Sequence, residues 1–108
     1  MDEQTAVPDN FTDNEDKRYI LRLFVTGASP NSIRAVTNTT KICEKYLNGR
    51  YELEIIDVHQ QPGIAASEDL IAIPMLLKKL PFPERRMIGD MSDTNKVLRA
   101  LELKKLDE

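Results

Sequence analysis

The feature that most constrains this fold is a seven-residue run, Tyr19-Ile20-Leu21-Arg22-Leu23-Phe24-Val25, apolar on both alternating faces except at Arg22. A half-buried strand alternates apolar and polar residues, whereas a strand covered by helices on both sides does not. The run therefore predicts an interior strand of an α/β sheet, and the segments after it must supply the cover. Gly27, Ser29 and Pro30 give a turn, an N-cap and a proline at the first helical position, where its missing N–H costs nothing. A helix then runs from Pro30 with Ile33, Val36, Cys43 and Leu47 facing inward, ending at a left-handed stop in Asn48-Gly49. Its middle, Thr37-Asn38-Thr39-Thr40, is intrinsically weak as helix. Tyr51 to Val58 alternates and then turns apolar, which predicts a strand passing from the sheet rim into the interior. Strand, helix and strand of these lengths make a βαβ unit.

Gln61-Pro62-Gly63 turns the chain into a short helix over residues 64–71, with Ile64, Leu70 and Ile71 inward. Ile73-Pro74 ends it, because proline pushes the preceding residue out of helical geometry. Residues 75–79 and 85–88 flank Pro81-Phe82-Pro83 and read as two antiparallel strands joined by a stiff loop. Gly89-Asp90 closes the pair. Ser92 is positioned to cap a last helix, Val97, Leu98 and Leu101 face inward, and Lys104 and Lys105 suit its negative end. The order is βαβαββα, one domain over residues 18–108 of a 108-residue chain. Before it, the first sixteen residues hold six acids, no base, and only Val7 and Phe11 as sizeable apolar groups. Residues 1–17 therefore read as a disordered acidic arm. With a whole-chain charge of −3, removing the arm's six acids leaves the domain at +3.

The composition also excludes function classes. One cysteine, Cys43, rules out an internal disulfide framework, and one histidine, His59, leaves too few soft ligands for a zinc site. No run approaches the roughly 18 apolar residues that span a bilayer. The acidic start, Met1-Asp2-Glu3-Gln4, lacks a basic-then-apolar leader, so the expectation is a cytoplasmic protein with no membrane association. Asp57 and Asp90 near strand ends do not make an acid/base pair without a pocket, and His59 reads as a loop histidine. Lys78, Lys79, Arg85 and Arg86 gather on the proline hairpin, with Arg22 and Arg34 nearby. Aromatics do not interleave with these bases and the whole chain is acidic, so an acidic protein surface suits them better than nucleic acid.

A proline opening the third strand of a βαβαββα chain is the thioredoxin plan, in which the Ile73-Pro74 bond is cis, at a cost of only ~0.5 to 1 kcal/mol. A redox member needs a cysteine pair at the first helix N-terminus. Here that place reads Ser29-Pro30-Asn31-Ser32, and Cys43 lies some three turns further along at a core position. A non-enzymatic, cofactor-free binding domain is expected, with a monothiol oxidoreductase using Cys43 as the enzyme-class alternative.

Several short stretches resemble the KaiB family over Tyr19 to about Leu103. They are Tyr19 to Gly27, Pro30-Asn31-Ser32-Ile33-Arg34-Ala35, Ile56-Asp57-Val58, Ile73-Pro74, Arg85-Arg86-Met87-Ile88-Gly89-Asp90-Met91-Ser92 and Val97-Leu98. The resemblance implies an adaptor that docks on the ATPase ring of a KaiC-like hexameric ATPase, with basic contact residues falling on Arg22, Arg34 and Arg85 and with Asn31 beside them. Glu54 stands where cyanobacterial KaiB has a lysine, a charge reversal that argues against KaiA binding. A KaiB-like interaction domain of the sensor-kinase type, with another partner, is the alternative, and a homo-oligomer is compatible with either.

The family also switches fold, from a tetrameric form to a thioredoxin-like monomer, and the resemblance makes Pro74, Gly89, Asp90, Ala100 and Glu102 fold-determining. The family's glycine and aspartate are Ala100 and Glu102 here, and both changes are expected to favour helix. Glycine to alanine alone is worth ~0.5 to 1 kcal/mol in a helix interior. The expectation is a chain that rests in the thioredoxin-like form.

Overall fold

The computed structural model describes residues 18–61, 63–64 and 72–103. The acidic arm, the body of the 64–71 helix and Lys104-Lys105 lie outside these residues. Strand β1 (Tyr19–Val25) leads into helix α1 (Pro30–Tyr46) and strand β2 (Tyr51–Asp57); strands β3 (Met75–Leu80) and β4 (Arg85–Ile88) and helix α2 (Thr94–Leu101) follow. The sheet order is β2-β1-β3-β4. β1 pairs in parallel with β2, from Tyr19 opposite Tyr51 to Val25 opposite Asp57, and antiparallel with β3, which pairs antiparallel with β4. The doubly apolar run is thus an interior strand, and the single domain is a thioredoxin-like mixed sheet. The Ile73-Pro74 bond is cis, as that plan requires, and so are Leu80-Pro81 and Phe82-Pro83.

β1 divides the core between the two faces of the sheet. Tyr19, Leu21, Leu23 and Val25 pack with Ala35, Ile42, Cys43 and Leu47 of the α1 segment and with Val97, Leu98 and Leu101 of α2. Phe24, on the other face, packs with Ile56, Val58, Met75 and Leu77. Each fully buried side chain of this kind contributes about 1.5 to 3 kcal/mol.

The capping of α1 follows the sequence. The Ser29 hydroxyl accepts from the Ser32 N–H at 3.3 Å, Pro30 opens the helix, and Gly49 beyond its end has φ 78°. Its inner face, however, is turned from the expected one. Ile33 is 53% exposed, and Ser32, Ala35, Thr39, Ile42 and Cys43 fill the inner positions. Ser32 is drawn inward because its hydroxyl accepts the Thr26 backbone N–H at 3.0 Å, and Ile33, one residue further around the helix, is left outside.

Four other expectations are corrected. β2 does not pass into the interior: it is an edge strand, with Ile56 buried but Ile55 46% exposed. Lys78 does not belong to a surface cluster, since its register places it between Leu21 and Arg85 on the helix-side face, where it is wholly buried. Asp93, not Ser92, caps α2, its side chain accepting from the Lys96 N–H at 3.1 Å. The Ser92 N–H is instead taken by Asp90 Oδ1 at 3.1 Å.

Glu102, the fourth, does not act as a helix former. It sits just beyond α2 with φ 61°, where its N–H donates to the Arg99 carbonyl at 3.1 Å and the Leu103 N–H reaches the Leu98 carbonyl at 2.9 Å. This paired closure is the glycine-type helix stop, formed here on a glutamate. Ala100 lies within the helix, as expected.

Candidate partner-binding site

Helical spacing places Asn31, Arg34 and Asn38 on one face of the first turns of α1, and the loop after β4 comes up against that face. Arg34 Nε donates to Asp90 Oδ2 at 3.1 Å, and its Nη2 donates to Asn31 Oδ1. Asn38 Nδ2 donates to the Asp90 backbone carbonyl at 2.9 Å. Asp90 is delivered by Gly89, whose φ of 124° is open only to glycine and whose N–H donates to the Pro74 carbonyl at 2.9 Å. The Ser92 hydroxyl first, then Arg34, hold the Asp90 carboxyl below the ordinary carboxylate value. The outcome is a polar clasp that joins α1 to the loop entering α2, with exposed Ile33 next to it in sequence.

The other two arginines lie elsewhere. Arg22 stands opposite Glu54 on β2 and Leu77 on β3, and its Nε is 3.5 Å from Glu54 Oε1. Arg86 is opposite Leu77 and so shares this face. Arg85 points to the helix side, with its Nη2 3.7 Å from Glu102 Oε2. It is separated from Gly89 by the length of β4, about 13 Å at the rise of a strand. The structure therefore gathers Asn31, Arg34, Gly89, Asp90 and the Pro74 carbonyl, and leaves Arg22 and Arg85 apart, one on each face of the sheet. All three arginines face an acid of this chain.

One member of the clasp was missed. Asn38 stands four residues after Arg34 and seven after Asn31, a spacing visible in the sequence.

Geometry and charge do not favour the redox alternative. Cys43 is fully buried, and burial, with a smaller contribution from Glu44, pushes its thiol up to about 12. A thiol that keeps its proton at neutral pH is not a nucleophile. Three hydroxyls, Thr26, Ser29 and Ser32, occupy the corner where a redox pair would stand, within 3.3 to 3.5 Å of one another or of the helix N–H. His59 is an exposed loop residue whose N–H donates to Asp57 Oδ1 at 2.9 Å, closing the turn after β2. Among the described residues no three His, Cys, Asp or Glu side chains converge as metal ligands, and no helix is long and apolar enough to cross a membrane.

Comparison with known proteins agrees with this layout. In fold, the chain is similar to mitochondrial thioredoxin 3 of Saccharomyces cerevisiae, with a TM-score of 0.64 at 17% identity over 82% of each chain. It is also similar to the N-terminal domain of Synechococcus elongatus SasA, with a TM-score of 0.65 at 22% identity over 100% of this chain and 97% of that one. In sequence it is 48% identical over 87 residues to the circadian clock oscillator protein KaiB of Prochlorococcus marinus, covering 81% of this chain and 83% of that protein. The KaiB domain family model matches residues 22–103, from the middle of β1 to just past α2. A thioredoxin-like sheet whose redox corner holds hydroxyls, matched by that domain almost from end to end, leaves one assignment: the chain belongs to the KaiB family.

Proposed function

We propose that the chain is a non-enzymatic adaptor that docks on a KaiC-like hexameric ATPase and modulates its activity in a clock, timer or stress-response system. The observation that carries this reading is the KaiB match running through α1, where Arg34 is held outward against Asp90. Arg34 and Asn31 form the principal contact, and Arg22 and Arg85 add positive charge from the two sheet faces. An acidic rim on the ATPase is the complementary surface. Glu54 puts a carboxylate, 63% exposed and paired with Arg22, on β2 where cyanobacterial KaiB has a lysine, which supports an adaptor that works without KaiA. The helix at Thr94–Leu101, with Ala100 inside it, supports the thioredoxin-like form as the resting and binding-competent one.

The test is retention by a purified KaiC homologue from the same genome, with ATP or ADP present. Wild type is expected to bind, and Arg34→Ala to bind at least tenfold more weakly, as the loss of one charged contact of about 1.4 kcal/mol or more implies. Absence of wild-type binding sinks the adaptor reading, and equal binding by the two proteins removes Arg34 from it.

A further inference from the structure

We propose that the acidic segment before β1, residues 7–16, docks on a shallow apolar groove at the tip of the β3–β4 hairpin, with Phe11 against Leu80 and Phe82. The groove is lined by Arg18, Leu80, Pro81 and Phe82. Phe82 is 74% and Leu80 40% exposed, so the hairpin tip presents an aromatic and an aliphatic side chain between prolines to solvent. An apolar surface of this kind beside a cation calls for a partner that is apolar and acidic at once.

The chain itself carries one. Arg18, a wall of the groove, is the first described residue, so the preceding segment leaves from the groove itself. Phe11 is seven residues upstream, and a chain of that length reaches about 23 Å, ample to turn back over the hairpin. Between Phe11 and Arg18 lie three acids, Asp13, Glu15 and Asp16, against one base, Lys17. Arg18 is bonded at 3.4 Å to Glu52 with both side chains more than half exposed, a pairing that exchanges for another carboxylate at little cost. Tethering supplies an effective concentration in the millimolar range, so a contact too weak to hold a free peptide is still populated.

Docked there, the arm shields the end of the hairpin that carries Arg85 and competes with an acidic partner for it. This regulatory half rests on the adaptor reading; the docking does not. Nuclear magnetic resonance on the full chain separates them. Expected are ring contacts between Phe11 and the Leu80 and Phe82 side chains, and shift changes in Phe11→Ala confined to residue 18 and residues 80–86. The triple variant Asp13→Asn, Glu15→Gln, Asp16→Asn, and high salt, should each move the same resonances toward the Phe11→Ala positions. Hairpin resonances indifferent to Phe11→Ala overturn the docking, and so do shifts that depend on protein concentration, which assign the groove to a second copy. An arm docked in half to nine-tenths of molecules weakens apparent partner affinity about two- to tenfold. Phe11→Ala should restore that factor toward the KaiC-type ATPase. Unchanged affinity overturns the regulatory half alone, whereas failure of every form to bind overturns the adaptor reading and leaves the docking standing.

Discussion

Cys43 and Asp90 show how burial and hydrogen bonding set the behaviour of single groups. The Cys43 thiol is raised to about 12 by burial, so the folded chain keeps a proton that the unfolded chain releases near 9. Stability is therefore unaffected by this group at neutral pH and falls as pH rises through the interval between those values, by about 1.4 kcal/mol per unit. Chemical denaturation between pH 8 and 10.5 should show that slope in wild type and a shallower one in Cys43→Ala. Ellman's reagent should label the native thiol only at the rate of unfolding. Asp90 has the opposite sign. Its carboxyl is lowered from 3.8, so its contribution is full above that value and is lost as pH falls through the folded value. Asp90→Asn should be less stable than wild type at neutral pH, and the difference should close in acid denaturation below about pH 4. A difference that persists unchanged at pH 3 would assign Asp90's role to shape rather than charge.

At the scale of elements, α2 makes a sharper case, because glycine at two nearby positions has opposite effects. Ala100 is inside the helix, and Ala100→Gly should cost about 0.5 to 1 kcal/mol. Glu102 is in the left-handed region, where a side chain is strained, and Glu102→Gly should gain about the same amount, less a few tenths for the exposed Arg85 pair. Urea denaturation of the two variants checks both signs. This pair also shows what was legible in the sequence. Element types and order follow from periodicity and proline positions, so β1, α1 and the β3–β4 hairpin lie where the residues put them. Glu102 was misread because composition reports helix preference, whereas a helix stop depends on where two carbonyls find their N–H partners. Ile33 was misread for a related reason: periodicity counts apolar residues, and here a hydroxyl that accepts the Thr26 N–H took the inner position. Within the clasp, the proximity of Asn31 and Arg34 was legible from their helical spacing. The separation of Arg22 from Arg85 was not, because it follows from strand register, in which neighbouring residues face opposite sides.

Across the whole molecule, the first strand is tied to the last helix. The Tyr19 hydroxyl donates to the Leu101 carbonyl at 2.8 Å in the core, across a sequence separation of 82 residues. Tyr19→Phe keeps the ring and leaves that buried carbonyl without this donor, so it should lower global stability by about 1 to 3 kcal/mol. Hydrogen exchange should then rise in both β1 and α2; an increase confined to α2 would show that the two elements open independently. The clasp around Asp90 has a comparable reach. A partner carboxylate that drew Arg34 away would take one of the donors that hold the Asp90 carboxylate, whose other oxygen accepts the Ser92 N–H at the entry to α2. Were loss of that donor to loosen the entry to α2, the coupling would run both ways: whatever loosens the entry would strengthen a partner's hold on Arg34 by the same free energy. A surface arginine and the start of the helix at Thr94–Leu101 would then share one equilibrium.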